Sequence, residues 1–137
     1  MLSRKFIDAH DAVFVVTAPG FVERQDHVRR ELGDGRFEFV IRPDFGPATK
    51  DDLIGQGIYD EERAVQLHRQ RALITLGHIM CSLAHVTAYQ RIVETGIDRA
   101  LIFEDDVVIL PVSDDDVASA VDAIPDEAEL IYWGWWG

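Results

Sequence analysis

The sequence predicts an α/β domain with a mostly parallel sheet flanked by helices, and three observations carry that prediction. Short apolar runs rich in β-branched residues recur along the chain, each bounded by polar residues or glycine. Longer stretches between them space their apolar residues at helical intervals. Strand-like and helix-like segments alternate from one end to the other, the pattern that gives crossover connections and parallel pairing.

Ala12-Val13-Phe14-Val15-Val16-Thr17 reads as a buried first strand, broken by Pro19-Gly20. Phe21 to Leu32 reads as a helix with Phe21, Val28 and Leu32 on its inner face, stopped by Gly33-Asp34-Gly35. Arg36 to Ile41 alternates as a second strand and completes a βαβ unit. From Arg42 to about Gly57, Pro43, Gly46, Pro47, Gly55 and Gly57 interrupt any period, which predicts loop. Asp60 to Ala72 fits a helix with Ala64, Leu67 and Arg71 on one side.

Ile79 to Val93 is the longest helical stretch, with Ile79, Leu83 and Val86 inward, Met80, Tyr89 and Val93 on a neighbouring stripe, and Gly96 to end it. A strand from Ala100 leads into Glu104, and a second apolar run, Val107-Val108-Ile109-Leu110, precedes Pro111. Ser113 caps a further helix, in which Val117, Ala120, Val121 and Ile124 fall at i, i+3, i+4 and i+7. Its Asp114-Asp115-Asp116 suits the positive end of a helix dipole better than a metal site. Leu130 to Trp133 reads as a last strand.

The chain of 137 residues is long enough for one domain with a real core, and residues 1–137 are read as that single domain. A hydrophobic content of 47% with 28% charged residues is that of a globular protein. No apolar stretch reaches bilayer length, and the polar opening leads into no signal-peptide core. The lone Cys81 cannot form an internal disulfide, so a reducing, cytoplasmic setting is expected. Residues 72–137 hold two Lys/Arg against twelve Asp/Glu, and so carry −10 of the net −12. Such a surface excludes nucleic acid as a partner, while a small phosphorylated ligand needs a cation to bridge the charges.

Phe103-Glu104-Asp105-Asp106-Val107-Val108 concentrates that charge where a strand surfaces. Carboxylates there must be hydrated, paired or bound to a cation. If the backbone stays extended, Glu104 and Asp106 point one way and Asp105 the other, and the two same-side groups suit a hard divalent ion. An ordinary acidic turn between strands accounts for the same letters equally well.

Three stretches together add a resemblance. Val15-Val16-Thr17 with Glu23-Arg24, then Leu76-Gly77-His78-Ile79-Met80-Cys81-Ser82-Leu83-Ala84-His85, then Leu101-Ile102-Phe103-Glu104-Asp105-Asp106-Val107 resemble family 25 glycosyltransferases. These enzymes extend lipooligosaccharide and related glycans from nucleotide sugars. The resemblance runs from about Val13 to Trp133 and implies a Rossmann-like sheet of the glycosyltransferase A type. His78 stands where the family has Glu, Met80 where it has Gly, and Ala84 where it has Ser before His. The family chain continues past the strand that ends here at Trp133, so this sequence resembles the nucleotide-binding half of such an enzyme.

The resemblance implies metal-dependent transfer of a hexose from a UDP-sugar to a saccharide acceptor in cell-surface glycan (lipopolysaccharide) biosynthesis. Glu104 and Asp106 would be the ligands of Mn²⁺ or Mg²⁺. Thr17, Glu23, Arg24, Ser82, His85 and Asp105 would contact the donor. The resemblance assigns the catalytic base to no residue of this sequence; in the family it comes, with acceptor-binding groups, from the part beyond the strand ending here at Trp133. For Arg24 a solvated helix arginine, and for His85 a satisfied core histidine, are the plain alternatives. His78, Cys81 and His85 fall at i, i+3 and i+7 and would share a helical face as zinc ligands, but the sequence offers no evident fourth ligand.

All three tryptophans fall in the last five residues, a tail expected to pack back or to meet a second copy of the chain as a homodimer. The rival functional class is a non-catalytic nucleotide-binding or protein-interaction remnant of the same fold. An acidic phosphotransfer module fits less well, because Thr17 stands where its first strand would need an aspartate.

Overall fold

The computed structural model describes residues 4–33, 35–41, 49–68 and 74–134. Three parallel strands, β1 (Ala12–Thr17), β2 (Glu38–Ile41) and β3 (Ala100–Glu104), form one sheet in the order β2-β1-β3. Helices α1 (Arg4–Asp8), α2 (Val22–Leu32), α3 (Lys50–Gly55), α4 (Glu61–His68), α5 (Leu76–Thr95) and α6 (Asp114–Asp122) complete the described elements. The α/β class and the first βαβ unit are as the alternating pattern predicts.

β1 lies in the middle, so both of its faces are covered and its sequence is apolar throughout. Alternation sends Val15 toward α2, where it packs with Val28 and Leu32. On the same side Val13 and Leu101 join Phe6, Ile7 and Val117 of α1 and α6. Phe14, Val16 and Val40 face the other way, onto Ala84 and Ala88 of α5. The result is a helix–sheet–helix sandwich.

The chain leaves β1 to one side through α2 and β2, and returns to the other side as β3. The strand order therefore reverses between β1 and β3. In open parallel sheets the crevice beyond the carboxyl ends of the strands at such a reversal is where ligands bind.

Several boundaries differ from expectation, each for a local reason. Lys50–Gly55 is a helix rather than loop, because Thr49 and Asp52 form a reciprocal capping box and Leu53 is fully buried against Ile79 and Met80. With one buried side chain in so short a helix, no period marks it. α1 likewise hides in the polar opening and is anchored by Phe6 and Ile7. Phe21 stands at the helix start and is half-exposed, with its ring beneath the Arg24 guanidinium at 5.4 Å.

α5 begins at Leu76, one turn earlier than expected, because Thr75 and His78 form a second capping box. Gly96 ends it in the left-handed conformation, φ +66°, as predicted. Its buried stripe is Ile79, Met80, Ala84 and Ala88, while Val86, Tyr89 and Val93 are exposed. Small side chains face the sheet because they let the helix approach it closely.

The second apolar run does alternate: Val107 and Ile109 pack into the α2 cluster, and Val108 and Leu110 are exposed. It forms no strand, since its backbone is bonded by α2 side chains instead of a ladder. The His27 ring donates from Nε2 to the Val107 carbonyl at 2.7 Å, and the Ile109 amide donates to Glu31 at 2.9 Å.

Leu130–Trp133 is also not a strand. It is fastened by the Trp133 ring, packed edge-on against Phe6 with centroids 4.9 Å apart, while Leu130 and Tyr132 are exposed. One tryptophan of the tail thus packs back; Trp135 and Trp136, like Pro43, Gly46, Pro47, Arg71 and Ala72, lie outside the described residues. Among the described residues, no helix is long and apolar enough to cross a membrane.

Candidate functional site

The register of β1 against β3 sets the candidate site. Val16 pairs with Glu104, so Thr17, the last residue of β1, comes level with Asp105. By strand alternation Thr17 shares the α2 face with Val15, while Glu104 shares the α5 face with Ile102 and Val16. The acidic triplet is thereby divided between the two helical layers.

On the α2 side, Asp105 is buried at 6% exposure. A buried carboxylate needs strong partners, and it has two. Thr17 Oγ1 donates to its Oδ2 at 2.7 Å, and Arg24 Nη1 donates to its Oδ1 at 2.7 Å. The Asp105 bond, followed by its charge and those of Asp106 and Glu104, holds the Arg24 guanidinium protonated even more firmly than a free arginine. Arg24 itself is half-exposed, one end fixed and the rest open to solvent.

The extended backbone ends at Glu104. Asp105 and Asp106 form a turn, closed by the Val107 amide donating to the Glu104 carbonyl at 3.2 Å. The turn carries Asp106 toward Arg24, 3.7 Å away, rather than onto the Glu104 side that continued alternation would have given. Glu104 and Asp106 are both about half-exposed, while Asp105 alone is committed to the interior.

On the α5 side, Glu104 Oε1 lies 3.2 Å from His85 Nε2. Cys81, one turn earlier, belongs to the same group. Burial first, then the charge of Glu104 and a hydrogen bond with it, then the charges of Asp105 and Asp106, push its thiol above the ordinary range. Ser82 turns away, its hydroxyl donating to the His78 carbonyl at 3.0 Å. Glu23 is exposed in the first turn of α2.

Thr17, Arg24, His85, Glu104, Asp105 and Asp106 are thus gathered at one edge of the sheet, and Ser82 and Glu23 make no described contact with that group. Sequence reasoning passed over His27 and Glu31, which clamp the segment leaving the acidic turn. Their signal was present: Arg24, His27 and Glu31 fall at i, i+3 and i+7 on the helical face that also carries Val28.

The arrangement offers exposed carboxylate oxygens beside a fixed guanidinium at the reversal point of a parallel sheet. That combination suits a ligand with both negative charge and a bound cation. No curated protein and no solved structure gives a significant match to this chain. One protein-family model does, over residues 11–136; its description is glycosyltransferase family 25 (LPS biosynthesis protein).

Proposed function

The chain belongs to glycosyltransferase family 25, and from that premise we propose that its acidic sheet edge binds a nucleotide-sugar donor, a UDP-hexose, for transfer of the hexose to a saccharide acceptor. The observation that carries this reading is the division of labour at Glu104-Asp105-Asp106. Asp105 is spent internally on Thr17 and Arg24, which fixes the turn and the arginine, while Glu104 and Asp106 keep exposed oxygens.

Carboxylate oxygens are the donors a hard divalent ion takes, and Asp106 with Glu104 are the residues that would hold Mn²⁺ or Mg²⁺. When bound, such an ion supplies charge neutralisation for the leaving nucleoside diphosphate. Arg24, held by Asp105, presents its remaining N–H groups to a phosphate in a fixed direction. Thr17 serves through Asp105, since its hydroxyl is already engaged there. His85 orients Glu104 from the α5 side and, being partly exposed, is the group offered to a sugar or ribose hydroxyl of the donor.

Calorimetric titration of UDP into the protein with and without Mn²⁺ tests the reading. Binding is expected only with Mn²⁺ and is expected to vanish in Asp106→Ala. Metal-independent binding, or none in the wild type, would overturn it.

A further inference from the structure

His78, Cys81 and His85 share a helical face in the sequence, yet the fold separates them. The His78 ring turns back to the helix start, where its Nδ1 accepts from the Thr75 amide at 3.2 Å. Cys81 and His85, one helical turn apart, face the end of β3 instead, and Glu104 stands beside them. One sulfur, one nitrogen and one oxygen from these three residues all lie within 4.8 Å of one another.

His85 Nε2 and Glu104 Oε1 are 3.2 Å apart. Zinc bonds to nitrogen and oxygen are near 2.0–2.1 Å, which sets a tetrahedral nitrogen-to-oxygen edge of about 3.3 Å. That pair already stands at coordination spacing. The edges to sulfur would be about 3.6 Å, a distance that small side-chain rotations of Cys81 and Glu104 can reach.

We propose that Cys81, His85 and Glu104 form a zinc-binding site with three protein ligands and a fourth position open to solvent. A mixed sulfur, nitrogen and oxygen donor set selects zinc over the all-oxygen cations Mg²⁺, Mn²⁺ and Ca²⁺. Two ligands lie on one turn of a long helix, and that helix is fixed to the sheet by Ala84 and Ala88. The third closes a strand paired to the central β1. The site shares Glu104 and His85 with the proposed donor site, whereas Cys81 belongs to the zinc site alone and Asp106 to the donor site alone.

Titration of the metal-free full chain with Co²⁺ tests the site. The expected result is a thiolate-to-cobalt charge-transfer band with the visible bands of a four-coordinate ion, displaced by equimolar Zn²⁺ and not by excess Mg²⁺. Cys81→Ser is expected to lose the charge-transfer band. Glu104→Gln is expected to keep it with affinity at least about tenfold weaker, at or beyond the effect of losing an outer partner. Asp106→Ala is expected to keep full affinity for Co²⁺ even as it abolishes Mn²⁺-dependent UDP binding. Absence of the band in the wild type, its survival in Cys81→Ser, or displacement by Mg²⁺ would each overturn the proposal.

Discussion

Thr17 and Asp105 lie 88 positions apart in the chain and are joined by a 2.7 Å hydrogen bond at the carboxyl edge of the sheet. The bond ties the last residue of β1 to the turn that follows β3. Replacing Thr17 by the near-isosteric valine keeps the volume and removes the donor, leaving a buried carboxylate one partner short. The expected cost is about 1–3 kcal/mol, read as a lower urea midpoint with an unchanged slope. A midpoint equal to wild type would show that Arg24 alone satisfies Asp105.

The segment after the acidic turn is held by α2 through side chains rather than by a neighbouring strand. Glu31→Ala should release the Ile109 amide from its 2.9 Å bond to the Glu31 carboxylate. Hydrogen exchange at Ile109 is expected to accelerate far more than exchange in β1. Equal protection in the variant would mean that packing of Val107 and Ile109 alone secures the segment.

Ala88 is fully buried where α5 meets Phe14, Val16 and Val40. Ala88→Leu forces extra volume into that contact and should cost about 1–3 kcal/mol. Because the same helix carries His85, the His85–Glu104 approach should open as well, seen as a changed imidazole resonance. Wild-type stability in this variant would contradict close helix–sheet packing.

The capping box of α3 predicts a pH response. Bonds from the Thr49 amide, then from its hydroxyl, hold the Asp52 carboxyl below the ordinary aspartate range. A lowered native pKa means stability that is present above the unfolded value, about 3.9, and is lost as pH falls through the native value. Amide protection in Lys50–Gly55 should therefore be constant at neutral pH and fall in acid. Asp52→Asn should flatten that acid response.

The strands and long helices were legible from their apolar patterning, continuous or periodic. β1 reads as a continuous apolar run because it is central, and the helix capped by Ser113 was marked by its cap, its acidic first turn and its apolar spacing. α3 was not legible, since a capping box and one buried leucine leave no periodic trace. The run Val107–Leu110 has the alternation of a strand, and only the partners of its backbone, His27 and Glu31, show that it pairs with no neighbour.

For the candidate site, the sequence by itself determined the chemistry present: three consecutive carboxylates where a strand surfaces, an arginine after the first strand, a cysteine and histidine one helical turn apart. What each carboxylate does was decided by the tertiary structure alone. Strand register brought Thr17 level with Asp105, and alternation gave Asp105 to the α2 layer and Glu104 to the α5 layer. The turn at Asp105-Asp106 then ended that alternation and moved Asp106 toward Arg24. The reason is physical: local periodicity fixes which side of its own element a side chain leaves from, whereas its partner depends on which elements become neighbours.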